Sequence, residues 1–423
     1  MMMTNSIFQP GGCEAQSRFP SRPVRLSGVR KKGVRSLKVL LFCLLTWLYA
    51  ILFAVLVSSC SDESGSGSGS SSSRLFLHVG GVPTRSMGSS LPSDEGTIGR
   101  LVVGLFYADG SVNTIVEPTL SFGSDGTIET GSILCSPGNC DVILVANAPE
   151  GIFSGVRTKN EFIGKTLALT STASDGVQSS DHLPMSGISD SPIHLEAGAS
   201  VSAMVHLSRL VARISISSIR TAFSLDNANA TFTLDRIFLC NALESSKVAP
   251  GDVGETMPDS PTWLHGGLTE EQPDGSYLWT AGAGFLLNDV TPEGGVQITS
   301  DAYTVPYWFY AFANNNTTYR TKLVLSGYFD PDGSVGSSPA VYVYYPIVVN
   351  QAQTGTTITP SDASQTDHVG DGTIARNHDY RIKAVIKGDG ETNPGSEIHP
   401  SNLDLTVEVD DWTLQIVQEV ELD

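Results

Sequence analysis

Between residues 74 and 82 the chain alternates. Leu75, Leu77 and Val79 share one parity, and Phe76 and His78 the other. A period of two sets the first group on one face of a β-strand. A Gly-Gly-Val-Pro turn follows, then a single arginine, Arg85, ahead of a Ser/Gly-rich run. Past Ser86 short β-rich runs recur, broken by Gly, Pro, Asn, Asp and Ser at intervals of roughly ten residues. RLVVGLFYADGS (100–111), DVILVAN (141–147), LVARISIS (210–217), KLVLSGYF (322–329), AVYVYYPIVVN (340–350), DYRIKAVIKG (379–388) and LDLTVEV (403–409) all read as strands. In ATFTLDRIFLCNA (230–242) Phe232 and Leu234 share a parity, whereas Ile237 and Leu239 take the other. That shift of one predicts a bulge or a change of face.

Few windows hold the helical period over three turns, and 42 glycines and 22 prolines argue against long helices. The pattern therefore predicts an all-β protein of two tandem β-sandwiches. The join is expected in TAFSLDNAN (221–229), giving sandwiches over 86–224 and 225–423. The last run, WTLQIVQEVELD, places Leu414, Ile416, Val420 and Leu422 on one parity, broken by Gln418. On pattern alone it is an amphipathic strand with no turn after it in the sequence.

The first 60 residues follow different rules. Basic residues from Arg22 to Lys38 precede an apolar run over 39–57, and Ser58-Ser59-Cys60 follows directly. A basic region, an apolar region and small residues at the end describe a secretory signal. Val57-Ser58-Ser59-Cys60 resembles a bacterial lipobox, whose cysteine is lipidated and becomes the new N-terminus. The competing reading, a transmembrane anchor, fits the length of the run, but not the small residues and cysteine that close it. SDESGSGSGSSSS (61–73) reads as a flexible tether, and residues 61–85 as tether plus first strand.

Charge narrows the partners. Of 25 basic and 44 acidic residues, 10 and 3 lie before Ser86, leaving 15 against 41 and a formal net charge of −26. Phosphate binding needs a basic stripe, so nucleic acid is excluded as a partner class. Among the remaining cysteines, CSPGNC sets Cys135 and Cys140 either side of a Pro-Gly turn, where a disulfide competes with two free thiols. No zinc-ligand spacing, nucleophile elbow, phosphate loop or dinucleotide fingerprint occurs, so neither metal nor cofactor nor catalysis is expected. Asp330-Pro331-Asp332-Gly333-Ser334 lacks the carboxylates of a calcium loop and reads as an acidic turn. Adjacent Asp410 and Asp411 point to opposite faces of a strand, which disfavours a glycosidase pair.

Several segments, in order, resemble the fimbrillin family, the stalk subunits of the type V pili of Bacteroidales. RNHDYRIKAVIKGDGETNPGSEIHPSNLDLTVEVDDW (376–412) is similar to that family's C-terminal signature, and YYPIVVN (344–350), LSRLVARISI (207–216) and DVILVANAPEG (141–151) look like further family segments. The resemblance implies two Greek-key, transthyretin-like sandwiches behind a cleavable lipoprotein leader. It implies lipidation at Cys60, carriage to the outer membrane, and cutting by an arginine-specific surface protease between Arg85 and Ser86. The strand bearing Leu75, Leu77 and Val79 would then leave. The terminal strand bearing Leu414, Ile416, Val420 and Leu422 would fill the vacated groove of a neighbour. Expected partners are other copies of the chain and accessory fimbrial subunits, at a cell-surface fimbria supporting adhesion. Departures from the family are the long basic region and a second arginine, Arg74, before the strand. Alternatives are a surface lipoprotein that binds glycan or protein, and the anchor or tip of the same fimbria.

Overall fold

The computed structural model describes residues 72–81, 94–122, 127–174, 176–225, 228–267, 269–271, 277–279, 283–290, 294–304, 307–333, 339–353, 355–360, 368–399 and 402–412. These belong to one compact unit, Ser68–Asp423. Lipidation at Cys60, cleavage between Arg85 and Ser86, and the terminal strand with Leu414, Ile416, Val420 and Leu422 lie outside the described residues.

Ten strands build the first lobe: β1 Ser73–Gly81, β2 Leu101–Tyr107, β3 Val112–Val116, β4 Leu120–Phe122, β5 Ile128–Thr130, β6 Ile133–Cys135, β7 Gly138–Ala146, β8 Met185–Ile188, β9 Ile193–Leu195 and β10 Ser200–Arg209. They form one hydrogen-bonded sheet in the order β3-β2-β7-β8-β10-β1-β5-β4, with β9 on β7 and β6 on β1. β2 is buried along nearly its whole length and β7 from Val142 to its end, because Val, Leu and Ile occupy both parities there. A single helical turn, α1 (Lys159–Ile163), lays Phe162 against Phe106 and Phe153 on this sheet.

The second lobe is a pair of facing sheets. One runs β13-β11-β17-β18-β16, from β11 Val211–Thr221, β13 Tyr307–Phe312, β16 Thr356–Pro360, β17 His378–Ile386 and β18 Leu403–Asp411. The other is built on β12 Thr231–Cys240, β14 Lys322–Asp330 and β15 Val341–Val348, with Leu287–Asp289 and Val296–Ile298 on β12's free side. Alternating residues of both, such as Phe232, Leu323, Tyr345, Ile382 and Val407, form the core. The expected bulge is present: the β12–β14 register shifts between Leu234 and Arg236. Opposite it stands Gly327, where an added Cβ would come 2.0 Å from Thr233 O, so only glycine fits.

The chain passes from one lobe to the other at Leu210, between β10 and β11. The stretch 221–229, where turn chemistry suggested the join, instead leads from β11 to β12 inside the second lobe. Two strands linked through one residue carry no Gly, Pro or Asn to mark the change of sheet. Asp330 ends its strand as a turn: its Oδ1 accepts from the backbone of Asp332 (3.2 Å) and Gly333 (3.1 Å).

Candidate strand-exchange groove

β1 is an inner strand, although it comes first in the chain. On one side it pairs in parallel with β10, from Arg74 opposite Ser200 to Gly81 opposite Leu207. On the other it pairs antiparallel with β6, through Ser73, Arg74 and Leu75, and with β5, through His78 and Val79. Its alternation has the predicted effect: Leu75, Leu77 and Val79 are each 0% exposed, while Arg74 is exposed and His78 half-buried. Burying those three side chains contributes about 1.5–3 kcal/mol apiece.

Among the described residues, β1 takes its polar contacts from its flanking strands and from the turn that precedes β10. Arg74 N–H donates to Ala199 O at 2.9 Å, and Leu77 N–H to the Thr130 hydroxyl at 3.0 Å. The Ser73 hydroxyl donates to Glu196 O. His78 lies 3.3 Å from Glu129 across the strand pair. Without β1 the walls β10, β5 and β6 would face each other over an apolar slot lined with unpaired backbone groups. A strand with the same alternation would satisfy them. Arg74 has its backbone engaged by β10 and β6 together, so it lacks the free extended backbone that proteolysis needs.

Cys135 and Cys140 are free, buried thiols, which settles the choice left by their spacing. Their sulfurs have separate partners. Cys135 Sγ donates to Ser73 O on β1 (3.4 Å), and Cys140 Sγ accepts from Asn113 Nδ2 (3.2 Å). Burial raises the pKa of both above the usual thiol value.

Sequence reasoning missed a buried ionic cluster beside the groove. Register sets Arg213 of β11 opposite Tyr310 of β13 and Asp379 of β17, so three polar side chains share one row. Arg213 donates from Nε (3.0 Å) and Nη2 (2.7 Å) to the two Asp379 oxygens, and from Nη1 to Glu95 Oε2 at 2.6 Å. Glu95 also accepts from Tyr310 OH (2.7 Å) and Trp412 Nε1 (3.0 Å). Arg209, the last residue of β10, donates to Glu95 O (3.1 Å) and Trp412 O (3.0 Å), and lies 4.2 Å over the Trp412 ring. Arg209 and Glu95 are 2% and 5% exposed.

Desolvation dominates this cluster. It lowers the Arg209 pKa to about 10 against the pull of Glu95, and raises that of Tyr310, where Glu95 adds to the effect. Arg213, held by two carboxylates, is raised despite its burial. Asn377 sits alongside in the left-handed region (φ 56°), and its Oδ1 accepts from Arg209 N–H at 3.3 Å. The available signal was Arg209 and Arg213 four apart on either side of the apolar run Leu210-Val211-Ala212. Their partners are far away in sequence.

Comparison with known proteins agrees with this architecture. Residues 79–206 match the family model described as Major fimbrial subunit protein (FimA). A crystal structure of a fimbrilin (fimA) from Porphyromonas gingivalis W83 superposes with a TM-score of 0.58 at 20% identity, over 81% of this chain and 98% of that one. A cell-adhesion candidate from Parabacteroides distasonis gives 0.60 at 20%, over 81% and 99%. Another from Bacteroides eggerthii gives 0.56 at 22%, over 82% and 98%. No curated protein matches the chain. The fimbrillin resemblance read from the sequence thus recurs in a family match and in the fold.

Proposed function

We propose that the chain, similar to fimbrillins in sequence and fold, is a non-enzymatic structural subunit of a cell-surface fimbria, polymerised by exchange of strands. The observation that carries this reading is the position of β1. A segment ahead of Arg85 fills the middle of the first lobe's sheet, with Leu75, Leu77 and Val79 fully buried between β10 and β5/β6. In the proposed cycle the precursor, lipidated at Cys60, reaches the outer membrane with this slot closed. An arginine-specific protease cuts after Arg85, β1 leaves, and Ser86 becomes the mature start. Arg74 is the poorer site, because a cut there would have to break into paired backbone.

The vacated slot has a chemical match in the terminal segment. Leu414 and Ile416 repeat the spacing of Leu75 and Leu77, and Val420 and Leu422 extend the same parity. A donor that buries four such side chains gains roughly 6–12 kcal/mol, against about 1–2 kcal/mol per residue for ordering the strand. Backbone pairing on two flanks adds to the gain. A head-to-tail contact of this kind does not close on itself, so copies build a filament. Deletion of residues 413–423 tests the reading. The shortened subunit is expected to stay folded, accept a donor at its groove and add nothing beyond itself. Normal fibre growth from that variant would refute the donor assignment.

A further inference from the structure

We propose that Glu95, Arg209, Arg213 and Trp412 form a joint that ties both ends of the mature subunit to the wall of the groove, so that tension on the terminal strand is carried directly to β10. This rests on the strand-exchange reading, and it assigns these side chains a role beyond stabilising the fold.

The argument is geometric. Trp412 is the residue before the proposed donor, and it is pinned at three points. Its indole N–H donates to Glu95 Oε2 (3.0 Å), its carbonyl accepts from Arg209 Nη1 (3.0 Å), and its own N–H donates to Asn377 O (2.9 Å). Arg209 covers its ring at 4.2 Å, and Tyr310 stacks on it with centroids 5.5 Å apart. Glu95 belongs to the segment that follows Ser86, so it stays with the subunit after β1 has gone. Its carboxylate takes three donors: Arg213, Tyr310 and Trp412. The two ends therefore meet on one buried carboxylate.

Arg209 is the third party, and its place in the chain gives the joint its use. It closes β10, the strand that pairs with β1 along eight positions and would pair with an incoming donor. A pull on residue 413 passes through the Trp412 carbonyl to the Arg209 guanidinium and along β10 to the strand held in the slot. Arg213 braces the joint from the second lobe through its two-pronged pair with Asp379. Arg376 stitches the lobes nearby, donating to Ser208 O (2.6 Å) and Arg209 O (3.0 Å). Tension between successive subunits then bypasses the apolar packing of the second lobe.

Hydrogen exchange on the monomeric full chain tests the joint without requiring a fibre. Glu95→Gln removes the charge while keeping the shape, and is expected to speed exchange of the Trp412 amide at least about tenfold, with the Val324 amide in β14 unchanged. Trp412→Phe keeps an aromatic ring but loses the indole donor. It is expected to speed the Thr97 amide, whose N–H is held by Asp94 O, because coupling between two sites is reciprocal. If either variant leaves the opposite end unchanged, or speeds the whole chain alike, the joint is refuted. Where wild-type fibres form, Glu95→Gln fibres should break into pieces at least about twofold shorter under equal shear. Equal lengths would overturn the tension role even if the exchange result held. Absence of wild-type fibres would strike the strand-exchange reading and leave the exchange result to judge the coupling.

Discussion

Leu77→Ala should weaken the precursor and leave the assembled fibre untouched. Leu77 is the middle of the three inward residues of β1, 0% exposed, with Ala203 opposite it on β10. Its side chain sits within a slot walled on both flanks, so the surroundings have little freedom to collapse into the space. Truncating a buried leucine in such a site costs about 2–5 kcal/mol, the upper part applying where relaxation is small. That is a large share of the roughly 5–15 kcal/mol that holds a typical domain together. Urea unfolding of a soluble precursor beginning at residue 61 measures the loss directly. The same substitution in a chain that has been cut and polymerised should leave the melting temperature and shear resistance of the fibre at wild-type values, because residue 77 has departed. A precursor destabilised by under about 1 kcal/mol would show that β1 does not close the slot. Equal destabilisation of fibre and precursor would show that β1 is retained.

Three other outcomes follow from the same contacts. Asp379→Asn leaves Arg213 and Arg381 each short of a carboxylate and should cost about 3–5 kcal/mol in urea unfolding, as for a buried pair that loses one partner. Arg85→Ala should block maturation by an arginine-specific protease on a gel, whereas Arg74→Ala should mature at the normal rate, since paired backbone already protects residue 74. Burial lowers the His265 pKa from 6.5 to about 4, so the fold holds the ring neutral, with the Asn241 N–H donated to Nδ1 at 3.2 Å. The unfolded chain takes up that proton first. Stability from this residue is complete above about pH 6.5 and falls as the pH drops toward about 4. His265→Gln should flatten that acid limb in urea midpoints measured from pH 7.5 to 4.5.

Local pattern and long-range pairing differ sharply in how legible they were. The parity of Leu75, Leu77 and Val79 predicted one buried face, and all three are fully buried. The parity slip after Leu234 predicted a bulge, and the register shifts there. Both signals lie within a few residues, because the strand period is local. Nothing local says that β1 inserts between β10 and β5/β6, since its parallel partner lies over a hundred residues away and has no turn to announce it. The change of lobes at Leu210 escaped for the same reason. The joint was the hardest to see. Glu95 stands 118 residues from Arg213 and 317 from Trp412, so its meaning depends on a fold that brings three remote segments to one point. Two arginines bracketing the apolar run Leu210-Val211-Ala212 hinted that carboxylates must come to meet them, but not which.

The mature N-terminus tests the central claim most directly. Fibres sheared from the cell surface, separated from membranes and analysed by N-terminal mass spectrometry, should yield subunits that begin at Ser86 and lack Leu75, Leu77 and Val79. Assembled subunits that still begin at a lipidated Cys60 would contradict the account, because their grooves would remain closed by β1.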